Sequence, residues 1–81
     1  MNRKKLKVEE TFSLAFQNHK KKNLKIAEKL YKEILKIKPN HFKSIFYLGS
    51  LSAQIKNFHR AQRLFQKAIQ IQPNYAEAHN N

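Results

Sequence analysis

The stretch Ile45-Phe46-Tyr47-Leu48-Gly49-Ser50-Leu51-Ser52, followed by Ala61, Phe65, Ala68 and Pro73, decides how this chain folds, because its pattern has appeared once before. Shifted back by 34 residues, Phe46 meets Phe12, Leu48 meets Leu14, Ala61 meets Ala27, Leu64 meets Leu30 and Phe65 meets Tyr31. Pro73-Asn74 repeats Pro39-Asn40, and Lys56-Asn57 repeats Lys22-Asn23. A constant period of this size is the signature of stacked supersecondary units. Within each unit the apolar residues recur at three- and four-residue spacing, as on amphipathic helices: Leu24, Ala27, Leu30, Tyr31, Ile34, Leu35 and Ile37 in one segment, and Phe58, Ala61, Leu64, Phe65, Ala68, Ile69 and Ile71 in its copy.

The punctuation separates four helices. The polar run Asn18-His19-Lys20-Lys21-Lys22-Asn23 interrupts a first helix that carries Leu6, Val8, Phe12, Leu14, Ala15 and Phe16. Pro39 ends the second, since the residue before a proline is pushed out of the helical region. A third helix starts near His41 or Phe42, turns at Asn57, and is followed by a fourth that Pro73 stops. The expected organisation is a basic extension of the first helix over residues 1–7, repeats over 8–41 and 42–75, and the opening of a third repeat over 76–81.

Composition narrows the function. The chain has 81 residues and no Cys, which removes disulfides, thiolate zinc sites and cysteine nucleophiles. No apolar run is long enough to span a bilayer, and the basic N-terminus is not followed by the apolar core and cleavage site of a secretory signal. A cytoplasmic location is the corresponding expectation. The formal net charge is +12, with twelve basic and four acidic residues in Met1–His41 against five and one in the remainder. Such an excess favours polyanions. Fourteen of the seventeen cations are Lys, and richness in Lys, Asn, Ile and Phe is also what an A/T-rich coding sequence imposes.

Ile45-x-x-Leu48-Gly49-x-x-Ser52, Ala61-x-x-x-Phe65-x-x-Ala68 and Pro73 together resemble the tetratricopeptide repeat, whose pattern over 34 residues is W-x₂-L-G-x₂-Y, A-x₃-F and a closing Pro. Thr11-x-x-Leu14-Ala15-x-x-Asn18, Ala27-x-x-x-Tyr31-x-x-Ile34 and Pro39 resemble it less closely, chiefly in the first helix. Thr11 and Ile45 stand where the family has Trp, and Asn18 and Ser52 where it has Tyr. The resemblance covers residues 8–81 and implies an all-α solenoid of antiparallel helix hairpins. Small residues at Ala15, Gly49, Ala27 and Ala61 allow close helix approach, and Tyr31 and Phe65 fill the space between hairpins. Hairpins of this kind bury their apolar faces by stacking. About three are normally needed for stability, so the chain reads as a segment of a longer array. Marginal stability or self-association through an open, apolar C-terminal end is expected of it.

The resemblance also implies function: a non-catalytic protein-interaction module that holds a peptide or helix in a groove lined by the first helix of each hairpin. The residues expected on that face are Phe12, Phe16, His19 and Lys20, with Glu9 and Ser13 beside them, and Lys43, Phe46, Tyr47, Ser50 and Gln54 from the second repeat. Glu77, Asn80 and Asn81 would extend it. Phe12, Phe16, Phe46 and Tyr47 form an expected aromatic strip between Lys20 and Lys43, a composition typical of binding hot spots; some of these rings could equally be core. One subclass of the family grips the C-terminal carboxylates of chaperone tails with a Lys-and-Asn clamp. Here Phe12, Phe16 and Tyr47 occupy those slots, which sets that ligand aside.

A second reading uses the cations. Lys20, Lys21 and Lys22 lie at the first hairpin turn, and Lys25, Lys29, Lys32 and Lys36 share one face of the second helix. Such an outer ridge could follow the phosphates of a nucleic acid or another polyanion with steep salt dependence, although a Lys stripe is more often a solvated face. Catalysis has little support. His19, His41, His59 and His79 are scattered in turns and helix starts, Glu28 and Glu33 fall on different helix faces, and the single glycine, Gly49, builds no phosphate loop. Neither a cofactor nor a metal is implied.

Overall fold

The computed structural model describes residues 3–74, with side chains from Lys7 onward. The expected third-repeat start at 76–81, with Glu77, Asn80 and Asn81, lies outside the described residues. Four helices follow one another, α1 (Arg3–Lys20), α2 (Leu24–Ile37), α3 (Phe42–Gln54) and α4 (Phe58–Ile71). α1 packs on α2, α3 on α4, and α2 bridges to α3. There is no strand among the described residues.

The two hairpin turns are the same object built twice. Asn23 N–H donates to Asn18 O at 2.8 Å and Lys22 N–H to His19 O at 3.1 Å; Asn57 N–H and Lys56 N–H repeat this with Ser52 O and Ala53 O at 2.8 and 3.0 Å. This pair of bonds closes a helix on a left-handed residue, a position glycine usually holds. Here lysines hold it, Lys22 at φ 70° and Lys56 at φ 67°. The polar run from Asn18 does not interrupt α1, which continues through Lys20 because the reversal happens at Lys22. Its cationic end suits the helix dipole. At the other turns the prolines act one residue ahead. Lys38 and Gln72 leave the helical region at φ −130° and −134°, and residues 73 and 74 are themselves helical.

Asn18 and Ser52, in the slot where the family has Tyr, do one job with different chemistry. Asn18 Nδ2 donates to Leu14 O at 2.9 Å, and Ser52 Oγ donates to Leu48 O at 2.7 Å. Each polar group is thereby satisfied within its own helix.

The core runs through the junction of the hairpins: Ala15, Ala27, Tyr31, Leu48 and Leu51, with Phe12, Leu24, Leu30, Leu35, Tyr47 and Leu64 packed around it. Tyr31, expected to fill the space between hairpins, is fully buried, whereas its copy Phe65 is half-buried. Gly49 works as its size suggests: a Cβ there would stand 3.0 Å from the Phe65 ring and 3.3 Å from Leu64 Cβ. The periodic pattern nonetheless overstates the core. Leu14 is 50% exposed while its copy Leu48 is 4% exposed, and Phe58 and Ile69 are 64% and 47% exposed. Leu48 is covered because the first hairpin stands before it, and no described element stands before Leu14.

Candidate functional site

The aromatic residues of α1 and α3 lie next to each other along the junction of the two helices. Phe12 and Phe16 are one turn apart and stack at 6.0 Å between ring centres. Tyr47 reaches across from α3, 5.1 Å from Phe16 edge-on and 5.9 Å from Phe12. Phe46 continues the row, 5.2 Å from Tyr47 and 5.6 Å from Phe65 on α4. Centroid separations in this range are the favourable ones for edge-to-face and offset rings. All four strip residues are half-buried. Their inner edges belong to the core, and their outer edges form a surface.

Both expected cations border this row, Lys20 at the Phe16 end and Lys43 beside Phe12 and Tyr47. Lys20 places its Nζ 5.2 Å from the centre of the Phe16 ring, a cation–π arrangement. Lys43 borders an open cleft of about 610 Å³ together with Glu9, Phe12, His41, Phe42, Tyr47 and Gln72. Ser50 is half-buried and Gln54 exposed, both on α3. Ser13, expected beside Phe12, is exposed.

His19 ties the two hairpins together beneath the row. Its Nδ1 lies 3.0 Å from the Tyr31 hydroxyl, and its Nε2 contacts Gln54 Oε1. Burial holds the Tyr31 phenol far above its usual range, so it keeps its proton. Gln54 Oε1 can only accept, so His19 Nε2–H donates to it, and in the neutral ring Nδ1 is then the acceptor of the Tyr31 O–H. One imidazole thus connects α1, α2 and α3. Sequence spacing gives no sign of this link, because its members are 12 and 35 residues apart.

His41 does a different job at the start of α3. Its Nδ1 accepts from Ser44 N–H at 3.2 Å and from Ser44 Oγ–H at 2.7 Å, making it the N-cap. Burial, then Lys38 and Lys43, push its pKa below the usual value, with Glu9 pulling weakly the other way. That keeps Nδ1 free to accept.

On the outer surface Lys25, Lys29, Lys32 and Lys36 do come together, around one shallow depression. Glu28 and Glu33, read from the sequence as lying on different faces, both border it too. Lys32 Nζ is 3.3 Å from Glu28 Oε2, and Arg60 Nη1 from α4 donates to that same oxygen at 2.7 Å. Arg60 Nε also donates to Ser52 Oγ at 2.8 Å. Arg60 first, then Lys32, draws the Glu28 carboxyl below its usual range against an opposing desolvation cost. The Arg60 link was not legible in the sequence. Lys20, Lys21 and Lys22 are exposed at the turn. No cluster of three or more His, Cys, Asp or Glu residues able to hold a metal occurs among the described residues, and no helix among them is long and apolar enough to cross a membrane.

Two helix hairpins stacked in one register make this an α-helical repeat protein. Residues 43–75 match the family described as Tetratricopeptide repeat, and the four-helix architecture is that of such repeats. No curated protein matches the chain. Repeats of this family serve in general as protein-interaction modules, and the match supports that general role.

Proposed function

We propose that the chain binds an extended peptide or a helix of a partner protein on the face built by α1 and α3, without catalysis. The observation that carries this reading is the unbroken row Phe16–Phe12–Tyr47–Phe46, which crosses from one hairpin to the next with every ring half-buried. Rings anchored in the core on one side lose little side-chain freedom when a partner covers the other, so contact area is gained at low entropic cost. Lys20 and Lys43 beside the row supply hydrogen bonds and charge to fix the register of the bound segment, and Ser50 and Gln54 supply neutral donors and acceptors along α3. His19 takes a supporting place, since both its nitrogens are engaged within the protein.

The outer Lys ridge is the weaker surface for a partner. Two carboxylates interrupt it, and Lys32 is already paired with Glu28. Alanine substitutions separate the two readings. Phe16→Ala and Tyr47→Ala should each weaken a protein partner by about 1–2 kcal/mol or more, while Lys25→Ala and Lys29→Ala leave it unchanged. The reverse ranking, measured by calorimetry on variants with native helicity, moves the function to the ridge.

A further inference from the structure

The two ends of the described hairpin pair are the separated halves of one interface, and the 34-residue period shows how they match. At the internal junction Leu48 is 4% exposed against a shell that includes Leu24, Tyr31 and Leu35. Displaced by one period, Leu48 becomes Leu14, 50% exposed on the outer side of the first hairpin. The shell becomes Phe58, Phe65 and Ile69, on the far side of the second; Phe58 is 64% and Ile69 47% exposed, where Leu24 and Leu35 are half-buried. The polar tie transforms the same way. Arg60 meets Glu28 inside the chain, and their displaced copies are Ile26, 51% exposed, and Gln62.

We propose that a second copy of this chain continues the stack head to tail. The Leu14–Ile26 face of one copy covers the Phe58–Phe65–Ile69 face of α4 in the next, in the geometry that α3 already uses on α2. The occupant follows from continuity with the internal junction: Leu14 stands where Leu48 stands there, and Phe58, Phe65 and Ile69 stand where Leu24, Tyr31 and Leu35 do. Because the two faces differ, the contact is heterologous and does not close on itself, so assembly passes beyond a dimer as concentration rises. The displaced pair Ile26–Gln62 carries no charge, while two chains of net charge +12 repel each other. Salt therefore strengthens this association by screening the repulsion, the opposite of its effect on phosphate binding.

Sedimentation equilibrium of the full chain, at low and high salt, tests this directly. The weight-average mass should rise with concentration past that of a dimer, and more steeply at high salt. Leu14→Gln and Ile69→Gln alter exposed positions and keep the net charge, so both variants should fold with native circular dichroism. Each alone should be monomeric, and an equimolar mixture should form a one-to-one complex, since each variant keeps one intact face. A chain that stays monomeric at every concentration, as it would if its own residues 75–81 covered α4, overturns the proposal. So does an Ile69→Gln variant that still dimerises, which would mean like faces pairing, or an association that salt weakens.

Discussion

Arg60 on α4 and Glu28 on α2 meet through Nη1 and Oε2 at 2.7 Å, the one ion pair among the described residues that joins the two hairpins. Arg60 also holds Ser52 Oγ, which in turn donates to the Leu48 carbonyl. A single guanidinium therefore links three helices, with side-chain exposures of 17% for Arg60 and 24% for Glu28. Its Nη2 is buried and has no hydrogen-bond partner among the described residues, so the fork is incompletely satisfied.

Removing Glu28 should accordingly cost more than removing its exposed partner. Glu28→Ala takes away the acceptor of a partly buried donor and should destabilise by about 1–3 kcal/mol. Lys32→Ala should cost no more than about 0.5 kcal/mol, as is usual for a surface pair at this spacing. A double-mutant cycle on Glu28 and Arg60, by urea denaturation, should return a coupling of about 0.5 kcal/mol or more. A coupling of zero would show that this ion pair does not help to hold the hairpins together.

The turns carry a reserve of stability. Lys22 and Lys56 occupy left-handed backbone that costs a side-chain-bearing residue about 1 kcal/mol or more, and both lie at the position glycine normally fills. Lys22→Gly and Lys56→Gly should each stabilise by about 0.5–1 kcal/mol after the added flexibility of the unfolded chain is subtracted. In a domain of this size that raises Tm by several degrees, roughly 4–8 °C per kcal/mol. A lower Tm in both variants would contradict the assigned backbone geometry.

His41 sets the direction of the pH dependence near neutrality. Its folded pKa lies below the unfolded value of 6.5 because of burial and of Lys38 and Lys43. Between those two values the unfolded state binds more protons, so stability rises with pH there. The cap's contribution is complete above about pH 6.5 and is lost as pH falls through the folded pKa. His41→Asn keeps an N-cap acceptor without a titrating group, and should flatten the stability profile just below pH 6.5. Glu28, whose pKa is lowered from 4.5, governs the next loss under more acidic conditions. An unchanged slope in His41→Asn would assign the pH dependence to another group.

Tyr31 is the buried anchor of the junction, and its two contributions can be separated. Tyr31→Phe keeps the ring and removes the hydroxyl that donates to His19, a change of about 0.5–1.5 kcal/mol. Tyr31→Ala empties a fully buried site and should cost about 3–5 kcal/mol, enough to unfold the chain at room temperature if its stability is at the low end for domains. Calorimetric melting of the two variants distinguishes them; equal losses would mean that the hydrogen bond dominates the packing.

The helices were legible because each apolar residue of α2 and α4 falls on a regular period and each boundary has local chemistry: Pro39, Pro73, and the Lys-Asn turns. The site was legible as a set of residues, since Phe12, Phe16, Phe46 and Tyr47 share a face by spacing alone. What spacing does not carry is which members of a periodic face are covered. Leu14 and Leu48 are the same residue in the same slot, yet one is exposed and one buried, because cover comes from a neighbouring hairpin and not from the helix itself. The links His19–Tyr31–Gln54 and Arg60–Glu28 were out of reach for a related reason. They join residues between 12 and 35 positions apart, and only the packing of α1 on α2 and of the second hairpin on the first brings their polar atoms within bonding distance.

The groove itself is tested most directly by amide chemical-shift mapping in NMR, with a mixed peptide pool and then a short single-stranded RNA, each at low and high salt. Binding in the groove should give peptide-dependent shifts at Phe12, Phe16, Phe46 and Tyr47 that persist at high salt. Shifts confined to Lys20–Lys22 and to Lys25, Lys29, Lys32 and Lys36, appearing with RNA and vanishing with salt, would contradict it.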